Sequence, residues 1–165
     1  MKYSILIFIA FGILSGCDRS SATDAANVAV VEKYIQAVES EDYETMASLL
    51  DENYLGLGPS ISDSVGRSVA LANWQENIAN LYEKIEYQRS QIAPVTITTG
   101  DNKGDWIANW AELQITYKDD RGSVIIWANT NYKLENNKIV RSFTFYNEAD
   151  VLRQLGYVFI NPNEL

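Results

Sequence analysis

The apolar residues of this chain keep a helical spacing over the first half and an alternating one over the second, and that change of period restricts the fold more than any other feature. Val28, Val31, Ile35 and Val38 recur at intervals of three and four, which predicts an amphipathic helix from Asn27. Asp42 can cap a second, short helix carrying Tyr43, Met46, Leu49 and Leu50. Gly56, Gly58 and Pro59 then interrupt the pattern. A further helical stretch, roughly Ser68 to Tyr82, brings Val69, Ala72, Ile78 and Leu81 near one stripe, with Trp74 on a neighbouring face. From there the period falls to 2, and strands are expected at about 85–98, 105–117, 123–134 and 138–147, parted by GDNKG, KDDRG and ENN turns. Sequential strands with such short links form an antiparallel meander. Helices first and a curved sheet after them give an α+β domain with the helices covering one sheet face.

The 165 residues suffice for one domain, and 47% apolar content supplies a core. The ends are organised differently. Met1-Lys2 is a basic start, and Tyr3 to Leu14 is almost wholly apolar yet too short to span a membrane as a helix, which takes about 20 residues. This is the pattern of a secretory signal peptide. Leu14-Ser15-Gly16-Cys17 follows it and resembles the lipobox of bacterial lipoproteins, whose cysteine is acylated and becomes the new N-terminus. The expected division is a signal peptide over 1–16, a lipidated tether over 17–26 and the domain over 27–165, with the small polar run Asp18 to Ala26 as the tether. A plain signal peptide holding a cysteine is the alternative. The lipid on Cys17 would place the domain in the bacterial cell envelope, on the periplasmic face of the inner or outer membrane if the host is Gram-negative.

The formal charge of −9, with no run among the 13 basic residues, argues against nucleic acid as a partner. One cysteine allows no internal disulfide. The chain has no histidine, which removes the commonest general base, the Ser-His-Asp and Cys-His arrangements and most zinc sites. With no glycine-rich phosphate loop and no plausible metal cluster, neither a cofactor nor a metal is expected.

The Glu135-Asn136-Asn137 turn permits a register for the last hairpin. Taken as regular, it groups Ile126, Ala128, Thr130 and Tyr132 with Arg141, Phe143, Phe145 and Asn147. The opposite face then carries Trp127, Asn129, Asn131, Ser142, Thr144 and Tyr146.

The order of these elements, with the strings VEKYIQAVESEDYETMASLL, NYKLENNKIVRSFTFYN and VLRQLGY, resembles the nuclear transport factor 2-like superfamily, which includes SnoaL-like polyketide cyclases and ketosteroid isomerases. The resemblance spans about Val28 to Tyr157 and implies a cystatin-like cone: a strongly bent antiparallel sheet packed around N-terminal helices, with a pocket at its open end. In ketosteroid isomerases a first-helix tyrosine and a protonated strand aspartate hold the oxyanion, and a second aspartate moves the proton. Tyr34 matches the tyrosine, while the aspartate positions read as Thr130 and Gly58. The strand-end aspartate common in SnoaL-like enzymes reads as Asn147, whose amide does not titrate.

The candidate catalytic residues left are Tyr34 and Glu112, the second lying between Trp110 and Gln114, where a desolvated carboxylate would be a base. A core-edge tyrosine and a solvent-facing glutamate are the plainer readings of both. Asp105, Asp119 and Asp120 belong to strand ends or turns and are expected to be solvated. A pocket for a small apolar or aromatic ligand would be lined by Tyr34, Trp74, Tyr82, Trp110, Thr130, Phe143, Phe145 and Asn147. Trp127 and Tyr146 are expected as neighbours on the sheet face away from the helices, where they would serve a homodimer or another envelope protein unless residues Val151 to Leu165 fold back over them. Binding module, docking scaffold and acid–base enzyme of the isomerase, cyclase or dehydratase type are thus the functions in play.

Overall fold

A computed structural model describes residues 18–161 and 163. The signal peptide expected over 1–16 and the expected lipidation site Cys17 lie outside the described residues. The first helix, α1, runs Asp18–Glu39 and so begins nine residues before the expected start. Residues 18–26, expected as a flexible tether, are therefore helical: Ala22, Ala25, Ala26 and Ala29 are strong helix formers, and their effect outweighs that of the interspersed serine, threonine and aspartate. Burial begins only at Asn27; the stripe Val31, Tyr34, Ile35 and Val38 is at most 7% exposed. Asp42 caps α2 (Tyr43–Leu49) by accepting the Thr45 amide at 2.9 Å. Met46 and Leu49 then close the bottom of the core.

Helix α3 covers Arg67–Asn80 and is joined to the end of α2 by Arg67, which donates to the Ala47 carbonyl at 2.7 and 3.2 Å. Its inward face is rotated from the expected one. Ala70, Leu71, Trp74, Asn77 and Ile78 face in, while Val69 is 49% exposed and Ala72 faces solvent. The large indole decides the rotation, because it removes far more apolar area from water than Val69 would.

The sheet has seven strands: β1 (Leu50–Leu57), β2 (Ser64–Gly66), β3 (Tyr82–Tyr87), β4 (Gln91–Ile97), β5 (Gly104–Tyr117), β6 (Gly122–Glu135) and β7 (Lys138–Tyr146). The order is β2-β1-β7-β6-β5-β3, with β4 also on β5. Three features depart from the expected meander. The stretch taken as one strand over 85–98 is two, since the chain leaves β5 at Gln88 to Ser90 and returns further along it. The glycine-containing segment before α3 forms the hairpin β1–β2, and β1 lies parallel to β7, so the sheet is mixed.

The third departure moves side chains across the sheet. The Asn136-Asn137 turn, with both φ positive, is tight and pairs Glu135 with Lys138, as a two-residue hairpin loop does. Leu134 then pairs with Ile139, but Lys133 pairs with Arg141, which leaves Val140 as a bulge. Beyond it Tyr132 faces Ser142 and Thr130 faces Thr144. Ser142, Thr144 and Tyr146 therefore share the concave face with Thr130 and Tyr132, while Phe143 and Phe145 share the convex face with Asn131 and Asn129. The regular register was wrong by this one residue. Trp127 and Tyr146 accordingly stand on opposite faces.

After β7, Asn147 caps α4 (Glu148–Gln154) by accepting the Asp150 amide at 3.2 Å. Strand β7 ends opposite Ala128, so Ile125 has no strand beside it on that edge. The Gln154 side chain takes that place: its amide donates to the Ile125 carbonyl at 2.9 Å and its oxygen accepts the Ile125 amide at 3.0 Å. Val151 is buried with Val124 and Ile126, so α4 lies over the concave side. Tyr157 to Ile160 are 57–82% exposed and do not cover the convex face.

Candidate functional site

The bent sheet and the helices α1, α3 and α4 enclose a chamber of about 460 Å³. Eight of the chain's ten tyrosines line it, which makes the phenol its dominant group. Tyr34, Tyr54, Tyr87 and Tyr132 form the inner set. Tyr34 and Tyr132 meet edge to face, 5.9 Å between ring centres. The Tyr54 hydroxyl is 2.7 Å from that of Ser142 on β7, inside the core. Gly56 makes this reach possible: a Cβ there would stand 2.6 Å from the Tyr54 hydroxyl. The Trp74 indole, a donor only, opposes the rise of the Tyr34 pKa.

The inner phenols stay neutral. Burial, and then the neighbouring Tyr54 and Tyr132, push Tyr34 well up, with Trp74 opposing them. Burial likewise raises Tyr132, with Tyr87 and Tyr54 adding to it. Burial is the first cause for Tyr87 and Tyr54 as well. Between the tyrosines stand uncharged polar groups. Asn109, 2% exposed, donates to the Ser90 hydroxyl, and Thr130 and Thr144 are 3.2 Å apart.

The outer set is Tyr82, Tyr117, Tyr146 and Tyr157. Tyr82 and Tyr117 are 5.4 Å apart edge to face, and burial pushes Tyr82 up to about 12. The charged residues of the lining, Arg121 and Glu148, belong to this set. Arg121 lies 6.0 Å above the Tyr117 ring and is held by the Lys118 and Asn80 carbonyls at 3.0 and 3.3 Å.

Of the residues chosen from sequence, Tyr34, Trp74, Tyr82 and Thr130 line the chamber. Trp110, Phe143 and Phe145 do not; they lie on the convex face, for the bulge at Val140 reverses β7 and the same alternation places Trp110 opposite Asn129. Asn147 is spent as a helix cap. Glu112 pairs with Trp127 on the convex face and meets Arg89 at 3.3 Å, so it is not a base for the chamber. Sequence reasoning missed Tyr54, Tyr87, Tyr132, Asn109 and Ser142. A period-2 reading continued from Thr130 reaches Tyr132, whereas Tyr54 sits in a strand concealed by glycines. Among the described residues no group of His, Cys, Asp and Glu could hold a metal ion, and no helix is long and apolar enough to cross a membrane.

No family model and no curated protein matches the chain. Solved structures do. IdmH of Streptomyces antibioticus, a candidate polyketide cyclase, is 18% identical with a TM-score of 0.65 over 79% of this chain and 99% of that one. A nuclear transport factor 2-like protein of Burkholderia xenovorans is 13% identical, TM-score 0.60, covering 79% and 95%. An LEH-like epoxide hydrolase of Mycobacterium tuberculosis is 11% identical, TM-score 0.58, covering 81% and 91%. At these identities the likeness is one of fold, and the fold is nuclear transport factor 2-like.

Proposed function

We propose that this chain uses its nuclear transport factor 2-like fold as a binding module, anchored in the bacterial envelope through Cys17 and holding a small, uncharged aromatic ligand. The observation that carries the reading is the neutral inner wall: phenols that burial keeps protonated, two threonines, a serine and two asparagines. Such a wall stacks against rings and donates to carbonyl or hydroxyl oxygens, yet offers no carboxylate to take a proton. The epoxide hydrolase and cyclase of like fold mark acid–base catalysis as the alternative, but the carboxylate nominated for it, Glu112, is turned outward and paired with Arg89. Native mass spectrometry of the chain purified gently from its host should find a bound mass of a few hundred daltons that is lost in Tyr54→Ala. A bare protein under those conditions would count against the binding reading.

Anchoring rests on the first seventeen residues. Labelled palmitate is expected to enter the chain and to be absent from Cys17→Ser. Label retained in that variant, or missing from the wild type, removes the anchor.

A second reading concerns the convex face. Trp127, Ile125, Phe145 and Trp110 are 64%, 50%, 49% and 47% exposed, with Asn129 and Asn131 among them. Exposed aromatics with few charges between them suit an isologous contact with a second copy of the chain. Trp127→Arg should turn a dimer into a monomer on size exclusion while leaving the bound mass in place. A dimer that survives the substitution ends this reading.

A further inference from the structure

The chamber does not end at Trp74. Beyond it lies a cleft of about 320 Å³ between α3 and the β1–β2 hairpin, and Trp74, Asn77, Ser142 and Thr144 wall both spaces. The hairpin rim is fixed, since the Gly58 amide donates to the Asp63 carbonyl at 3.1 Å. Gly58 also permits the close approach of the two arms: a Cβ there would stand 2.7 Å from that of Asp63.

The cleft shares the rings of Tyr34, Tyr54, Trp74 and Tyr146 with the chamber. What it adds is not aromatic, being small or apolar residues such as Leu57, Gly58, Pro59 and Val65, with Asn73 of α3 beside Asn77. These two asparagines are four residues apart, so their amides stand on one helix face, about 6 Å from each other along the axis. Neither amide makes a hydrogen bond to another described residue. Each can both donate and accept, as the hydroxyls of Ser142 and Thr144 beside them can. That pairing matches a ligand group whose members also donate and accept, which is the vicinal hydroxyl array of a sugar.

On the reading of the chamber as an aromatic-ligand site, we infer that the ligand has two parts, an aromatic ring system in the chamber and a hydroxylated arm the size of one sugar ring in the cleft against Asn73 and Asn77. Asn77 lines both spaces and marks where the two parts join; Asn73 touches the arm alone.

The test uses the full chain with two probes, 4-methylumbelliferone and its β-D-glucoside, followed by quenching of tryptophan fluorescence. The glucoside should bind about tenfold more tightly, the gain expected of one or two neutral hydrogen bonds. Asn73→Ala, at an exposed helical position where alanine is the better helix former, should erase that gain and leave the parent coumarin unchanged. A glucoside that binds no better than the coumarin, or a substitution that weakens both equally, overturns the two-part ligand and leaves the chamber reading intact. Binding of neither probe overturns both.

Discussion

Ile139→Ala is expected to lower the unfolding free energy by about 3–4 kcal/mol, and Ile126→Ala by about half as much, although both isoleucines are at most 5% exposed. The difference comes from what each side chain faces. Ile139 lies at the closed tip of the cone, paired with Leu134 and beside Leu50, in a cluster with Met46 and the α1 stripe. Truncation there leaves a void with rigid walls, so the cost of the cavity adds to the lost transfer energy. Ile126 lines the chamber, where space already exists on one side. Truncation there enlarges that space and forfeits fewer contacts. Urea denaturation of both variants checks this through the shift in midpoint at constant slope. Equal losses would mean that the chamber is collapsed in solution, and the binding reading would fall with it.

The tip was legible in the sequence and the chamber was much less so, for a physical reason. Positions packed on all sides are apolar, and their spacing shows directly: Val31, Ile35 and Val38 gave α1, and alternation gave β5 to β7. A chamber wall is half-satisfied by design. It mixes tyrosine with threonine, serine and asparagine, so its pattern resembles that of a solvent-facing strand. A regular register from the Asn136-Asn137 turn puts Phe143 and Phe145 inward, yet the bulged Val140 turns them out and brings Ser142 and Thr144 in. No side-chain pattern marks such a bulge in advance. The same holds at α3, where Val69 and Ala72 fit a helical stripe as well as Ala70 and Trp74 do. The parallel pairing of β1 with β7 joins segments some ninety residues apart and leaves no local trace. The neighbours of Glu112, Trp110 and Gln114, suit a desolvated and a solvent-facing glutamate alike; only the pairing of β5 with β6 determines that it stands on the convex face.

Alkali should expose the other consequence of a tyrosine-lined interior. Unfolded tyrosines ionise near pH 10, whereas burial holds Tyr82 neutral to about 12 and pushes Tyr34, Tyr87 and Tyr132 up as well. Below pH 10 both states keep these protons, and the stability they contribute is present in full. As pH rises past 10 the unfolded chain releases protons that the native chain retains, so stability falls, and it continues to fall until the native values are passed. For Tyr82 alone the loss at pH 12 is about 2 kcal/mol. Several such residues together approach the roughly 5–15 kcal/mol by which a domain of this kind is stable. Unfolding followed by circular dichroism should therefore set in between about pH 11 and 12. The phenolate absorbance near 295 nm should rise with it in one step, since most of the tyrosines are held inside. Titration of most tyrosines near pH 10 with the circular dichroism unchanged would show the inner phenols open to solvent, and the neutral wall on which ligand binding is proposed would not exist.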